Sequence, residues 1–240
     1  MTRLQTLLRD RPAIHGDDGS DPMTHGLIEE GLDLLDRIVQ PGWRTLETGS
    51  GFSTIIFAAN GAEHTCIVPN QPEVDRIRAY CADSGIDSRR VTFHVQPSER
   101  VLPGLELGAL DLVLIDGSHS FPQVFIDWFY TATALTRGGR LIIDDIHVWT
   151  GRVLRDFLAA EPAWRVDDEL GGRTAILTKV GEVDPDQLWT DQRYVFAKSG
   201  LGVAGKARMA ASMVRHGHVA ELAGHARSAV GGRVGARRRS

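Results

Sequence analysis

Three aspartates directly follow apolar runs that have the composition of buried β-strands. Asp116 comes directly after the run 110–115, and Asp144 and Asp145 come directly after the run 141–143. Because parallel strands end at the same edge of a sheet, we expect these carboxylates to share one crevice. Like charges repel there unless a cation or a proton intervenes, and oxygen ligands of this kind suit Mg²⁺ or Ca²⁺. The pattern therefore predicts a divalent-metal site; the alternative is that Asp145 caps its loop and Asp116 binds backbone amides.

Two histidines lie close to these carboxylates along the chain. His119 is in the polar turn after Asp116, and His147 follows shortly after Asp145. Imidazole takes up and releases a proton readily near neutral pH, so either side chain is a candidate general base for a hydroxyl nucleophile. A metal held by the aspartates would activate the same hydroxyl as a Lewis acid. The sequence thus predicts catalytic roles for Asp116, His119 and His147, although a lone histidine in a loop is often only a surface residue.

The segment 47–54 reads ETGSGFST and has the features of a ligand-binding turn. Glu47 ends a predicted strand, Gly49 and Gly51 form the turn, and Ser53 is a candidate N-cap of the next helix. Glycines let a ligand approach the backbone closely, and a helix N-terminus offers free N–H groups. We therefore expect a ligand in the crevice beyond the strand ends.

The chemistry of this turn favours S-adenosylmethionine over a dinucleotide. The third glycine of the dinucleotide-binding GxGxxG motif is missing from residues 47–54. A carboxylate from Glu47 in the crevice would repel a pyrophosphate and attract a cationic amino-acid group. Glycines at a strand–helix turn also occur for purely structural reasons, which is the alternative interpretation here.

The elements that would position these residues alternate between strands and helices. The predicted strands are 43–46, 65–68, 91–95, 110–115 and 141–143. The predicted helices are 2–9, a helix that has Thr24 as its N-cap and ends before Pro41, 53–59, 72–84, 121–135 and 151–160. Two short strands, 164–166 and 174–178, flank the turn DDELGG and predict a closing antiparallel hairpin. This alternation is typical of a doubly wound α/β fold with a mostly parallel, seven-stranded, Rossmann-like sheet.

The composition of the 240-residue chain is that of a soluble globular protein, with 42% hydrophobic and 24% charged residues. Two cysteines exclude a disulfide scaffold and a cysteine-rich zinc module. No apolar run reaches the roughly 18 residues that span a membrane, and charge appears too early for a secretory signal. We therefore expect a cytoplasmic protein with no membrane partner.

Positive charge is concentrated near the C-terminus. From residue 192 onwards the chain has ten Lys and Arg residues and one acidic residue, Glu221. A basic tail can contact nucleic acid, anionic lipid or the acidic body of its own protein. No aromatic residue follows Phe196, so stacking on bases has no support there. We expect a solvated, partly helical tail with a disordered end and no nucleic-acid partner.

Three motifs, taken in their order and spacing, resemble the class I S-adenosylmethionine-dependent methyltransferases. They are LETGSGFST (46–54), LDLVLIDGSHSF (110–121) and TRGGRLIIDD (136–145), and the resemblance covers about residues 27–179. The DGSH segment together with DDIHVWTGRV resembles the small O-methyltransferase-like group, whose members often use a divalent metal. The resemblance implies S-adenosyl-L-methionine as the cofactor and a small-molecule hydroxyl as the acceptor.

The resemblance also implies roles for individual residues. The methionine part of the cofactor would contact Glu47, Gly49, Ser50 and Gly51, with Ser53 at the start of the same helix. Asp116 would face the methyl-transfer centre at the end of the fourth strand. Similar metal-dependent members have an Asp-Asn pair at the position of Asp144 and Asp145, so the second of these positions is altered here.

Two positions depart from the family pattern. Pro69 stands where the ribose-binding acidic residue is expected, and Asn70 is the nearest substitute. Pro97 stands where an acidic residue near the adenine is expected, and Ser98 is the nearest polar substitute. Proline has no side-chain acceptor, and a missing hydrogen bond to a charged group costs about 1.5–3 kcal/mol.

The sequence therefore predicts a methyltransferase of small-molecule hydroxyls, with a possible metal and a possible homodimer. We expect an N-terminal segment 1–23, a cofactor-binding domain 24–180 and a basic extension 181–240. The departures at Pro69 and Pro97 leave open a degenerate fold that acts as a non-catalytic binding or assembly protein. A nicotinamide-dependent oxidoreductase and a nucleic-acid methyltransferase are weaker alternatives.

Overall fold

The computed structural model describes residues 2–16, 26–200 and 203–215 of the chain. Within these ranges, seven strands form one sheet: β1 (Arg44–Thr48), β2 (Glu63–Ile67), β3 (Val91–His94), β4 (Leu110–Ile115), β5 (Leu135–Ile143), β6 (Trp164–Leu170) and β7 (Thr174–Lys179). Their order across the sheet is β3-β2-β1-β4-β5-β7-β6. The first five strands run parallel, and β7 pairs antiparallel with β5 and β6. The predicted α/β fold and its closing hairpin are confirmed.

Helices cover both faces of this sheet. Those in the described residues are α1 (Arg3–Asp10), α2 (Glu29–Ile38), α3 (Phe52–Ala59), α4 (Gln71–Asp83), α5 (Ser98–Val101), α6 (Gln123–Ala132), α7 (Trp149–Ala160), α8 (Arg193–Lys198) and α9 (Val203–Arg215). A single 3₁₀ turn, Leu102–Gly104, follows α5. None of the described helices is long and apolar enough to cross a membrane.

Several element boundaries differ from the sequence prediction; β5 begins at Leu135 instead of 141, and β6 runs to Leu170, into the predicted DDELGG turn. Helix α2 begins at Glu29 with Ile28 as its N-cap, and the predicted cap Thr24 lies outside the described residues. Helix α6 is shorter than predicted because Leu135 already belongs to β5, where it pairs with Leu110 of β4. The Thr136 hydroxyl donates to the carbonyl of Leu110 at 3.0 Å, which joins the two strands at this end.

The central strand β4 explains why its sequence is a continuous apolar run. Successive side chains of a strand point to opposite faces of a sheet. Leu112 and Leu114 pack into the core beneath α1–α4, whereas Val113 and Ile115 pack into the core beneath α6 and α7. Both faces are therefore buried, as is typical of parallel sheets covered by helices.

The segment before α2 is part of the folded core. Leu4, Leu7 and Ile14 are buried and pack with α2, α3 and α4. The Arg76 side chain of α4 donates to the carbonyl of Ile14 at 2.5 Å, and the Tyr80 hydroxyl donates to Asp10 at 3.2 Å. The C-terminal extension is helical at α8 and α9, and the predicted disorder of its end, residues 231–240, lies outside the described residues.

The turn after β1 requires glycine at position 49. Gly49 has φ of +92°, a conformation that side chains rarely adopt. A Cβ atom at this position would lie 2.2 Å from the backbone oxygen of Asp116. A hydrogen bond from Asp116 N to Thr48 O at 3.0 Å joins the two crossing segments, and one from Gly49 N to Ile67 O at 2.9 Å joins the turn to β2. The turn therefore lies directly against the end of β4.

Replacing Gly49 with alanine is expected to destabilise the protein by about 2 kcal/mol or more, because the new methyl group meets backbone atoms that cannot move independently. Urea unfolding of Gly49→Ala and the wild type measures this difference. Gly104→Ala is the matched control, since a Cβ atom there meets nothing within 4 Å and the backbone does not have a left-handed φ. Equal stability of the two variants would contradict the close approach at Gly49.

Candidate functional site

A cavity of about 340 Å³ opens beyond the carboxyl ends of β1, β2 and β4. It is lined by residues 48–50, 67–70, 97–99 and 116–118, together with His15, Glu73 and Gln123. Ligand pockets have volumes of roughly 300–1,000 Å³, and in open α/β sheets they lie at this edge. Of the residues predicted to contact a cofactor, the lining includes Gly49, Ser50, Asn70, Ser98 and Asp116.

Glu47 and Ser53 lie behind this cavity rather than in its lining. Ser53 Oγ donates to Glu47 Oε2 at 2.7 Å, and the Thr54 hydroxyl donates to Oε1. His64 Nε2 lies 3.1 Å from the same Oε1, and Glu47 is only 1% exposed. We expected this carboxylate to face a ligand in the crevice. In the structure it instead points beneath α3, where it binds Ser53 and Thr54. Ser53 is likewise not the N-cap of α3; that residue is Gly51.

A second carboxylate, Glu73, reaches the cavity from the first turn of α4. Its Oε2 accepts a hydrogen bond from Ser50 Oγ at 2.8 Å, and its Oε1 accepts one from Asn70 Nδ2 at 2.7 Å. His15 Nδ1 lies 3.5 Å from Oε1. Burial raises the pKa of Glu73, but the contacts with His15, Ser50 and Asn70 outweigh burial and hold this pKa below its usual value. Glu73 is therefore a charged group on the wall formed by residues 67–70.

The sequence analysis missed both Glu73 and His15. Glu73 stands three residues after Asn70, the N-cap of α4, which is the spacing at which a side chain at N3 turns back towards the cap. That spacing was the available signal for Glu73. His15 had no such signal, because its place depends on how the segment before α2 packs.

The loop after β3 supplies the other side of the cavity. Pro97 and Ser98 both line it, and so does Glu99, an acidic residue two positions after the expected one. Pro69 lines the opposite wall, next to Asn70. The cavity thus has carboxylates near both proline positions, although neither proline has a side-chain acceptor.

Asp116 lies where β4 ends and β1 turns. Its carboxylate lines the cavity and makes no hydrogen bond to any other part of the described chain. Burial raises the pKa of Asp116 well above its usual value, and the charges of Asp144, Glu47 and Asp145 raise it further. A positive group in the cavity would relieve this crowding of carboxylates, so the site favours a cationic ligand.

Asp145 is the centre of a network of charged side chains beside the cavity. His119 Nε2 lies 2.9 Å from Asp145 Oδ2, and Arg173 Nε donates to Asp145 Oδ1 at 2.8 Å. His147 Nδ1 is 3.5 Å from Oδ1. The hydrogen bond with His119, supported by the charge of Arg173, lowers the pKa of Asp145 to about 2. Asp145 is therefore ionised across the whole neutral range and orients His119.

The two histidines differ in how firmly they are held. The Thr150 hydroxyl at the start of α7 donates to the backbone carbonyl of His119, which ties the 117–120 loop to α7. His119 is only partly exposed, whereas the His147 side chain is 56% exposed. Neither histidine lines the cavity itself, but His119 directly follows Gly117 and Ser118, which do. The geometry thus favours His119 over His147 as an oriented base.

The predicted metal site at Asp116, Asp144 and Asp145 does not fit this structure. Within the described ranges, no group of three or more His, Cys, Asp or Glu side chains is arranged to hold a metal ion. Asp144 is completely buried, and the Thr174 hydroxyl donates to its Oδ1. Both oxygens of Asp145 already have partners in His119 and Arg173. The repulsion that led us to expect a metal is reduced by an arginine that the sequence analysis did not consider.

Comparisons with known proteins agree with this architecture. Residues 46–146 match a family model described as a methyltransferase domain. The O-methyltransferase TomG from Streptomyces achromogenes, solved with S-adenosylmethionine, has a TM-score of 0.60 and 16% identity over 75% of this chain and 91% of its own. Cofactor-bound Rv0187 from MTB has a TM-score of 0.58 and 19% identity over 73% and 88%. The Bacillus cereus O-methyltransferase, solved with S-adenosylhomocysteine, has a TM-score of 0.57 and 18% identity over 74% and 90%.

A search of curated proteins found no significant match. The seven-stranded sheet and its antiparallel end are those of a Rossmann-like methyltransferase fold, and the matched segment lies within it. The chain therefore has the fold of these O-methyltransferases, and its match to a methyltransferase domain spans residues 46–146.

Replacing Asp145 with asparagine is expected to reduce the free energy of unfolding by about 2 kcal/mol at pH 7, because a pKa lowered from 3.8 to about 2 stabilises the folded state. The folded state binds fewer protons than the unfolded state, so this contribution is present above about pH 4 and is lost as the pH falls towards 2. Urea unfolding at pH 7 and at about pH 3 measures it. Asp75→Asn, an exposed change, is the control; a deficit for Asp145→Asn that persists undiminished at the lower pH would contradict the assignment.

Proposed function

We propose that this methyltransferase transfers a methyl group from S-adenosylmethionine to a hydroxyl of a small molecule. The observation that carries the proposal is the cavity beyond β1, β2 and β4, where the Asp116 carboxylate has no hydrogen-bond partner among the described residues. A site crowded with carboxylates binds a sulfonium more favourably than a neutral or anionic ligand. The oriented His119 beside the same cavity supports a hydroxyl acceptor.

The lining suggests how the cofactor lies. The methionine part would lie against Gly49 and Ser50, where the glycine turn allows the backbone to be approached closely, whereas Gly51, the N-cap of α3, is not in the lining. Glu47 and Ser53 support this turn from beneath α3 rather than through direct contact. The ribose lies against Asn70 and Glu73, whose carboxylate takes the part of the acid missing at Pro69. The adenine lies against Ser98 and Glu99.

The chain's own residues would carry out the transfer in one displacement. S-adenosylmethionine, held by Gly49, Ser50 and Asn70, would supply its methyl group to the acceptor oxygen and would be released as S-adenosylhomocysteine. The acceptor proton passes to Nδ1 of His119, because Nε2 is already engaged by Asp145. Asp145 stabilises the imidazolium that forms, as an oriented carboxylate does for a general base. Alignment of the reactants supplies most of the acceleration.

The surface around His119 supports a flat, largely apolar acceptor. Phe121 is 68% exposed and Trp149 is 63% exposed, although both are large apolar side chains. Phe121 follows His119 closely, and the hydrogen bond from Thr150 to His119 holds the start of α7, where Trp149 lies, to the same loop. Phenols and polyketide-like hydroxyls have the aromatic faces that such side chains bind. TomG, which shares this fold, is described as involved in tomaymycin synthesis.

Asp116→Asn is expected to weaken binding of S-adenosylmethionine about tenfold while changing the affinity for S-adenosylhomocysteine much less, because only the former has a positive sulfur. Isothermal titration calorimetry with both ligands on both proteins measures the difference. A wild type that binds neither ligand at micromolar concentrations would remove the cofactor assignment. Equal losses for the two ligands would place Asp116 away from the sulfonium.

His119→Ala is expected to lower the rate of methyl transfer by about 10²–10⁴-fold, with unchanged affinity for S-adenosylhomocysteine. The rate is measured as S-adenosylhomocysteine formed with the best acceptor from a panel of phenols, polyketide-like hydroxyls and sugars. His147→Ala is the matched control and should retain most of the activity. A larger loss for His147→Ala would move the base to that residue. Cofactor binding without transfer to any hydroxyl in the panel would instead favour a non-catalytic binding protein.

A further inference from the structure

Arg173 occupies a fixed position in the turn that joins β6 to β7. Its backbone N–H donates to Leu170 O at 2.9 Å, and its carbonyl accepts from Ile146 N at 2.8 Å. The second of these bonds connects the hairpin to the loop after β5, directly beside Asp144 and Asp145. These bonds fix the backbone of Arg173, and the guanidinium is held by its ion pairs with Asp144 and Asp145.

The side-chain oxygens of the Asp144–Asp145 pair are largely engaged. Asp145 Oδ1 accepts from Arg173 Nε at 2.8 Å, and Asp145 Oδ2 lies 2.9 Å from His119 Nε2. Asp144 Oδ1 accepts from the Thr174 hydroxyl. Only Asp144 Oδ2 has no hydrogen-bond partner, and it lies 3.9 Å from the nearest nitrogen of Arg173.

The Asp144–Asp145 pair leaves few free oxygen ligands for a divalent cation. Mg²⁺ and Ca²⁺ need about six or more oxygen ligands, and a carboxylate oxygen already bound to a guanidinium is a poor one. A second cation within about 4 Å of Arg173 would also be repelled by it. The single oxygen that remains is buried and faces the arginine.

We propose that Arg173 is a built-in counter-cation that replaces a divalent metal beside Asp144 and Asp145, so that the charges of these two carboxylates are balanced without a metal. The low pKa of Asp145 agrees with this role, since His119 and Arg173 together hold that carboxylate ionised. Arg173 acts here as a positioning residue: it keeps Asp145 in place to orient His119. This charge balance is a property of the folded chain and does not depend on whether the acceptor is a hydroxyl.

The first experiment measures the Tm of the metal-free full-length chain with and without about 10 mM MgCl₂, CaCl₂ or MnCl₂. The control for each salt is NaCl at the same ionic strength. The wild type should show no shift in Tm beyond the salt control. Arg173→Ala should have a lower Tm than the wild type, and the divalent cations should raise it by about 3–5 °C, because the freed carboxylates now bind a cation.

Arg155→Ala is the matched control for this experiment. Arg155 also pairs with two carboxylates, Asp156 and Glu169, and its side chain is about as exposed as that of Arg173, but none of these three residues lines the cavity. Its variant should lose stability without recovering it when divalent cations are added. A divalent-specific rise in the Tm of the wild type, or equal responses of the two variants, would overturn the proposal.

Arg173→Gln provides a second variant in case the alanine variant does not fold. Glutamine keeps a donor for Asp145 Oδ1 but removes the charge, so the Tm of this variant should also rise with divalent cations.

Calorimetric titration of Mg²⁺ into the metal-free wild type should give no saturable heat, and saturable binding would overturn the proposal. Methyl transfer by the wild type should continue unchanged in EDTA, and an EDTA-sensitive rate would likewise overturn it. If no transfer is found at all, the hydroxyl-acceptor assignment fails, while the stability measurements still decide the role of Arg173.

Discussion

The close crossing of the β1 turn and the end of β4 is the constraint on which the site depends. Gly49 lies so near the carbonyl of Asp116 that a single added carbon would overlap it. A backbone hydrogen bond from Asp116 to Thr48 holds β4 against this turn, and one from Gly49 to Ile67 holds the turn against β2. The crossing places the glycine turn and the Asp116 carboxylate on one wall of the cavity. The other walls follow β2 and β3, and their positions relative to this crossing are fixed because β2 pairs with β1 and β3 pairs with β2.

Charge balance is the second theme of the structure. Four carboxylates, those of Glu47, Asp116, Asp144 and Asp145, converge near the carboxyl ends of β1, β4 and β5. Three of them have partners within the protein. Hydroxyl donors and His64 contact Glu47, the Thr174 hydroxyl donates to Asp144, and His119 and Arg173 pair with Asp145. Asp116 alone faces the cavity without a protein partner in the described chain. The charge left unbalanced is therefore the one that a cationic ligand can meet.

Local patterns in the sequence predicted the sheet well, because strands buried on both faces must be continuously apolar, as β4 is. They predicted less of the site. Glu47 stands at the expected place in the chain, but the direction of its side chain follows from which face of β1 is covered by α3. Arg173 and His15 are distant in sequence from their partners, so their contacts follow only from tertiary packing. The metal prediction was wrong for this reason. It considered the carboxylates of Asp116, Asp144 and Asp145 but not Arg173, which pairs with two of them.

The segment before α2 contributes to the cavity without belonging to the sheet. It is anchored on α2–α4 by Leu4, Leu7 and Ile14, and it presents His15 to Glu73. Because no strand pairs with this segment, substitutions at His15 can change the lining of the cavity while the sheet keeps its pairing. Divergence in this fold can thus proceed through a few lining positions of an outer segment, provided that its buried anchors Leu4, Leu7 and Ile14 are kept.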